Sequence, residues 1–151
     1  MAPDIQALVS IATSATRKGF FRRRLVFRDR MAVSEQDISA LEATLGVALP
    51  DSLRAWLLAA GCGNLDDELS IQCSWFVPIE KGELTGGAMF AQDILGNFYA
   101  FDSSGGIYFL SRSEPVVATV AKDFLEFMGE LIRRDFKVVD WVDSFETRPY
   151  E

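Results

Sequence analysis

The sequence predicts an α+β fold in which a mostly antiparallel sheet, formed by two successive hairpins and flanking strands, packs against helices. Three observations support this prediction. Apolar residues follow helical spacing in two adjacent short segments, 38–45 and 53–60. Strand-like runs joined by glycine-containing turns occupy residues 90–110. A third helical pattern covers residues 124–132. Helices shorter than about 12–15 residues are marginal in water, so these helices need a sheet to pack against.

The two adjacent helices have recognisable ends. Ser34 is predicted to cap the first helix, and Gly46 is predicted to end it in the left-handed conformation that glycine adopts most easily. Pro50 then prevents continuation, Asp51 begins the second helix, and Gly61 ends that helix. An earlier helix is expected from Pro3 to about residue 17.

The basic segment 17–30 lies between these helices and contains three phenylalanines: Phe20, Phe21 and Phe27. Arginines interleaved with aromatic residues are typical of nucleic-acid-binding patches. A connecting segment would instead bury the rings and leave the arginines in solvent. The second interpretation is favoured, because the rest of the chain is acidic and would repel phosphate. A mitochondrial presequence is a further alternative, against which Asp4 and Asp29 count.

The charge of the chain is distributed unevenly around a net value of −7. The first thirty residues contain seven Lys/Arg and two acidic residues. The remainder contains eight Lys/Arg and twenty acidic residues. Such asymmetry indicates a partner surface. No apolar run approaches the roughly 18 residues of a membrane span, and no secretory signal is recognisable, so a cytoplasmic protein without a membrane partner is expected.

The sequence offers little for metal or acid–base chemistry. It contains no histidine, which excludes Ser-His-Asp and Cys-His catalysis and HExxH zinc sites. Cys62 and Cys73 are the only cysteines and are expected to be buried thiols rather than a disulfide. The spacing of Asp93, Asn97 and Asp102 lacks the order of a calcium loop. Any catalysis would have to rest on carboxylates, lysine or a hydroxyl group, and neither a cofactor nor a metal is predicted.

Strand patterns dominate the second half of the chain. A strand is predicted over residues 69–77, and hairpin strands over 90–92, 98–101 and 107–110, with Gly96 and Asn97 in the first tight turn. Residues 116–120 add a short strand. Asp123 is expected to cap the following helix, because Glu126 has capping-box spacing. The apolar tail after this helix is expected to pack as a strand or a short helix.

Two side chains have specific expected roles. Trp56 is expected to be a core residue that packs against Phe90 or Phe101 of the sheet, rather than a binding hot spot. The Asp93 carboxylate is expected to accept hydrogen bonds from backbone N–H groups of its hairpin turn.

Four sequence patterns in a fixed order resemble the SUKH superfamily: I-x-x-L-E-x-x-L-G-V-x-L-P-x-x-L-R-x-W-L, then F-A-Q-D-x-x-G-N-x-Y-x-F-D, then a Gly-Gly turn into I-Y-F, then V-A-K-D-F-L-E-F-M. The residues that match the structural signature of this superfamily are Leu49, Pro50, Trp56, Phe90, Asp93, Gly96, Asn97 and Phe124. The chain departs from the usual pattern at Leu53, where an aromatic residue is common, and at residues 60–64, where Asn-Gly-Gly is usual.

The resemblance implies a single SUKH-like domain over residues 1–151. Residues 1–33 form an N-terminal helix and basic segment, 34–132 the core of the superfamily, and 133–151 a packed tail. It also implies a bacterial immunity protein without catalytic residues, which neutralises a cognate toxin by occluding its active site or substrate groove. Toxins paired with this superfamily include nucleases, whose basic clefts suit an acidic inhibitor. The alternative is a non-catalytic scaffold or regulator, like the fungal branch of the superfamily. Direct nucleic-acid binding is not expected.

Seven residues are predicted to bind the partner: Asp66, Asp67, Glu68, Trp75, Phe76, Glu80 and Glu83. The acidic residues lie in irregular segments on both sides of a strand, and the two aromatic residues lie between them. Aromatic side chains within a polar rim are typical of binding hot spots. The alternative is that the acidic residues keep the domain soluble and the aromatic residues belong to the core.

Overall fold

The computed structural model describes residues 4–151 and has an α+β architecture. The helices are α1 (Ile5–Ser14), α2 (Glu35–Leu45), α3 (Asp51–Ala60), α4 (Phe124–Arg133) and α5 (Val138–Val142). The strands are β1 (Thr16–Lys18), β2 (Arg23–Leu25), β3 (Phe27–Met31), β4 (Cys62–Leu65), β5 (Leu69–Ile71), β6 (Val77–Pro78), β7 (Ala88–Asp93), β8 (Phe98–Phe101), β9 (Ile107–Leu110), β10 (Val116–Ala121) and β11 (Arg148–Pro149). The predicted fold class is confirmed.

Nine strands form one antiparallel sheet in the order β11-β10-β9-β8-β7-β5-β4-β3, and β6 pairs with the beginning of β7. Strands β1 and β2 form a separate two-stranded hairpin. The prediction of one continuous strand over residues 69–77 is wrong. A turn of 3₁₀ helix at Cys73–Trp75 interrupts it, so that β5 and β6 pair with different parts of β7.

The ends of the helices follow the predicted capping residues. The Ser34 side chain accepts a hydrogen bond from the backbone N–H of Asp37, and the Asp37 carboxylate accepts one from the backbone N–H of Ser34. The bonds to Ser34 lower the pKa of Asp37. Helix α2 ends at Gly46, whose φ of 72° is left-handed. At α4, the Asp123 carboxylate accepts a hydrogen bond of 2.8 Å from the backbone N–H of Glu126.

The first helix is shorter than expected. It begins after Asp4, whose carboxylate accepts a hydrogen bond from the backbone N–H of Ala7. It ends at Ser14, because Ala15 is already extended and leads into β1. The expected start at Pro3 lies outside the described residues. The tail contains both α5 and β11, and Trp141 of α5 stacks on Phe127 of α4 with ring centroids 5.7 Å apart.

Trp56 is completely buried in the core between the helices and the sheet, as predicted. Its indole lies 5.9 Å from the Phe27 ring and 6.0 Å from the Phe124 ring, measured between centroids. The expected packing against Phe90 or Phe101 is wrong in detail. The indole meets the sheet through Phe27 of β3, and Phe124 of α4 contacts both Trp56 and Phe90.

Two turns and the base of the β1–β2 hairpin lie together at one end of the sheet. Strands β4 and β7 end there, and β5 and β8 begin there. The backbone N–H of Asp66 in the β4–β5 turn donates to the carbonyl of Val26, which follows β2. The N–H of Ile94 in the β7–β8 turn donates to the carbonyl of Glu68. Backbone bonds therefore tie these three segments to one another.

The two edge strands of the sheet differ from its interior strands. Strand β3 carries Arg28, Asp29 and Arg30, and its register with β4 shifts after Arg28. Asp29 lies within this irregularity and has a left-handed φ of 56°. The opposite edge is β11, which consists of Arg148 and Pro149 alone.

Candidate partner-binding site

The acidic turn Asp66-Asp67-Glu68 is the first part of the predicted site, and the basic segment largely neutralises it. Arg17 lies 3.1 Å from the Asp66 carboxylate and 2.6 Å from that of Asp135. These two carboxylates raise the pKa of Arg17, Asp66 contributing more than Asp135. Asp67 forms an ion pair with Arg28. Two of the three acidic side chains are therefore already paired with arginines of the same chain.

Glu68 completes the turn and also supports its neighbours. Its carboxylate accepts a hydrogen bond of 3.3 Å from the backbone N–H of Val139 in α5. Its carbonyl accepts the bond from Ile94 that ties in the β7–β8 turn. Asp66 and Asp67 have left-handed φ values of 55° and 58°, a conformation that Asp tolerates better than most residues. The turn is thus held from several sides.

The two aromatic residues of the predicted site differ in exposure. Trp75 is 47% exposed, whereas Phe76 is only 7% exposed and packs toward Phe90. The assignment of Phe76 to an accessible binding surface is therefore corrected. The 3₁₀ turn points consecutive side chains in different directions, so Phe76 joins the core while Trp75 remains available for contact.

The remaining predicted residues lie at the other end of β7. Glu80 and Glu83 are in the connection that leads into the beginning of β7, whereas Asp66–Glu68 lies beside its end. Glu83 pairs with Arg148 at 2.7 Å. Glu80 is exposed and forms no ion pair within residues 4–151. The structure thus divides the seven residues into two groups; whether either group binds a partner stays a prediction.

The basic segment contains two exposed phenylalanines that were not predicted from the sequence to be exposed. Phe20 and Phe21, expected to be buried, are 93% and 92% exposed, whereas Phe27 is buried as expected. The reason is geometric, since both exposed rings lie in the four-residue loop between β1 and β2. Gly19 begins this loop, and a Cβ there would clash with the carbonyl oxygen of Arg22. A glycine between two runs of basic residues was the available signal for this hairpin.

The signature residue Asp93 organises the β7–β8 turn. Its carboxylate accepts hydrogen bonds from the backbone N–H groups of Leu95 (3.0 Å) and Asn97 (3.1 Å), which confirms the expectation. It also accepts a bond of 2.9 Å from the buried Tyr99 hydroxyl. Burial, followed by the Asp93 charge, raises the pKa of Tyr99. Gly96, with φ of 86°, lets the chain reverse. These contacts give Asp93 a structural role.

The other signature residues are structural as well. Leu49, Trp56, Phe90 and Phe124 are buried, and Pro50 precedes the first residue of α3. The backbone N–H of Leu49 donates to the Glu42 carboxylate at 2.7 Å. Together these residues fix how α2, α3 and α4 lie against the sheet.

An open groove of about 610 Å³ lies beside α2, lined in part by Met31, Leu41 and the two cysteines. Both thiols are free. The Cys73 thiol, followed by burial, raises the pKa of Cys62. Within residues 4–151, no cluster of three or more His, Cys, Asp or Glu side chains is arranged to hold a metal ion. In the same part of the chain, no helix combines the length and the hydrophobicity that crossing a bilayer requires.

Comparison with known proteins gives one significant result. Residues 32–130, about two thirds of the chain, match the model of the SMI1/KNR4 family (SUKH-1). No curated protein and no solved structure shows significant similarity. The matched segment begins just before α2 and ends within α4, so it contains the core of the sheet, α2, α3 and every signature residue. The chain belongs to the SMI1/KNR4 family (SUKH-1).

Proposed function

We propose that this protein is an immunity protein, which binds a cognate toxin and neutralises it by covering the toxin's active site or substrate groove. The observation that carries the proposal is the family match over residues 32–130. The SUKH superfamily, which the sequence resembles, includes bacterial immunity proteins. Under this proposal the protein acts in the cytoplasm of the toxin-producing bacterium and has neither a catalytic role nor a cofactor.

The architecture suits inhibition by occlusion. An inhibitor of this kind binds best with a preformed surface, because little conformational entropy is then lost on association. The turns at one end of the sheet are held by the Asp93 hydrogen bonds and by the bonds between the β4–β5 and β7–β8 turns. Turns fixed by a sheet are common positions for binding residues. The net charge of −7 favours long-range attraction of a basic toxin.

Six of the seven predicted binding residues remain part of the proposal, in separate groups, because Phe76 is buried. Asp66, Asp67 and Glu68 lie beside the base of the β1–β2 hairpin, whereas Glu80 and Glu83 lie in the connection that leads into the beginning of β7. Exposed Trp75 lies in the 3₁₀ turn between β5 and β6, beside the middle of β7. A toxin that covers one end of the sheet contacts only one of these groups. Substitutions in the two groups can therefore separate the two docking positions.

The test uses the toxin encoded next to this protein's gene. Co-expression should restore growth of a bacterium that the toxin alone arrests, and the purified proteins should elute as one stable complex. In vitro, one equivalent of this protein should abolish the toxin's activity. Full toxin activity in the presence of excess protein, with no complex, would refute the proposal.

A non-catalytic scaffold or regulator is the second candidate, because the SUKH superfamily, which the sequence resembles, also has a fungal branch of this kind. Such a protein would bind host proteins and leave the toxin's activity unchanged. The growth-rescue experiment distinguishes the two candidates directly.

A further inference from the structure

Half of the exposed large hydrophobic side chains of residues 4–151 belong to segments at one end of the sheet. These residues are Phe20, Phe21, Leu25, Ile94 and Leu95. Ile94 and Leu95 are 64% and 57% exposed and lie in the β7–β8 turn. The base of the hairpin and this turn both bond to the β4–β5 turn between them. Phe20 and Phe21, whose ring centroids are 4.5 Å apart, form an exposed apolar patch, and such patches on a soluble domain mark interaction sites.

The sequence of the β1–β2 hairpin does not favour a hairpin that is stable by itself. Its register places Arg17 opposite Arg24 and Lys18 opposite Arg23. Like charges directly opposite each other destabilise a strand pair, and an isolated two-stranded hairpin is marginal in water. The Phe20 and Phe21 rings contact each other edge to face at 4.5 Å but are otherwise in solvent. The hairpin sequence therefore favours neither a stable hairpin nor the burial of its two phenylalanine rings. Contact with a partner would account for both features.

Positive charge around the two phenylalanines remains available. Arg17 is neutralised by Asp66 and Asp135 at the base of the hairpin. Lys18, Arg22 and Arg24 form no ion pair with any carboxylate of residues 4–151. The tip therefore presents two aromatic rings surrounded by unpaired cations. Aromatic residues and arginine are the residue types most enriched at binding hot spots.

The hairpin also lies outside the segment common to the family. The family match begins at residue 32, whereas β1 and β2 occupy Thr16–Lys18 and Arg23–Leu25. The matched core supplies the scaffold, and the hairpin is an addition to it. An added element is a natural position for contacts that distinguish this protein's toxin from the toxins of other family members.

We infer that the β1–β2 hairpin is the element that docks on the toxin, with Phe20 and Phe21 inserted into an apolar depression and Arg22 and Arg24 paired with carboxylates at its rim. This inference rests on the proposed immunity function. A lipid bilayer or a nucleic acid is a poorer occupant, because the chain beyond residue 30 is strongly acidic and would repel phosphate groups. The hairpin is positively charged, so the toxin surface that it contacts should be acidic. The net charge of this protein, −7, would by itself favour a basic surface.

Two double variants test the hairpin, each with a matched control. Phe20→Ser with Phe21→Ser should raise the Kd for the neighbouring gene's toxin, inactivated at its active site, on the order of 100-fold. Its control is Met31→Ser, which removes an apolar side chain that is 67% exposed at the end of β3 and should leave the Kd unchanged.

Arg22→Glu with Arg24→Glu should lower the association rate on the order of 10-fold, with a weaker effect at high salt. Its control is the reversal of two exposed lysines elsewhere, Lys81→Glu with Lys122→Glu, which should change the rate far less. All four proteins should melt at nearly the wild-type temperature, because the substituted side chains are exposed.

The outcomes distinguish an error in the docking element from an error in the proposed function. Absence of toxin binding by the wild-type protein refutes the proposed function and this inference together. Wild-type binding that survives both hairpin substitutions refutes the inference alone, and a loss of binding confined to Met31→Ser refutes it as well, because the interface then lies at the end of β3. Binding of the wild type to phosphatidylglycerol–phosphatidylcholine vesicles or to single-stranded oligo(dT), abolished by the phenylalanine substitutions, would also overturn it.

Discussion

Replacing Trp56 with alanine should lower the free energy of unfolding by about 3 kcal/mol. Truncation of a buried aromatic side chain in a core costs about 3–5 kcal/mol. Trp56 is fully buried between Phe27 and Phe124, which predicts the full effect. Its indole Nε1, however, has no hydrogen-bond partner within residues 4–151. A buried unpaired donor costs about 1–3 kcal/mol, and the substitution relieves that cost, so the expected loss lies near the lower limit.

The measurement is equilibrium unfolding in urea, followed by far-ultraviolet circular dichroism because the substitution removes one of the three indoles and so changes the fluorescence signal itself. Trp56→Phe is the control variant, since it removes the unpaired N–H and keeps an aromatic ring. It should recover more than half of the stability lost in Trp56→Ala. A Trp56→Ala protein with the wild-type unfolding midpoint would refute the assignment of this residue to the core, and if toxin binding were also lost, Trp56 would be an interface residue.

Two further predictions concern turns. Asp93→Asn should destabilise the protein by about 1.5–3 kcal/mol, because the charged acceptor of two backbone bonds and of the Tyr99 bond is lost; an unchanged melting temperature would contradict this role. At Asp102, burial alone would raise the pKa, but bonds from Tyr108, Ser104 and Gly106 outweigh it and leave the pKa below its usual value. Its stabilising effect should therefore be present above about pH 4 and fade as the pH falls further. Asp102→Asn should melt below the wild type at pH 7, with the difference shrinking toward pH 2; a difference unchanged at pH 2 would show that the carboxylate charge is not involved.

Local signals explain most of what could be predicted. The caps of α2 and α4 depend on residues three positions apart, and the β7–β8 turn depends on Asp93, Gly96 and Asn97 within one short loop. Strands β3 and β4 were missed, because their pairing joins segments more than thirty residues apart and leaves no local pattern. Helix packing is equally non-local, so the burial of Trp56 could be predicted but its ring neighbours could not.

The candidate site was the least predictable part of the molecule for the same reason. Arg17 is 49 residues from Asp66 and 118 from Asp135, so nothing near the acidic turn indicates that its charge is already paired. The exposure of Phe20 and Phe21 depends on where their hairpin lies relative to the core. Hydrophobicity alone predicts burial, and only the tertiary arrangement shows that nothing covers these two rings.

The two edges of the nine-stranded sheet have a consequence for the behaviour of the protein at high concentration. Unpaired N–H and C=O groups along an edge are a template for strands of other molecules, and long flat edges promote aggregation. Here the irregular backbone at Asp29, flanked by Arg28 and Arg30, interrupts one edge and charges it. At the other edge, Pro149 has no N–H to donate, and β11 is only two residues long. Both edges therefore discourage strand exchange, so this protein should remain free of fibrils when concentrated.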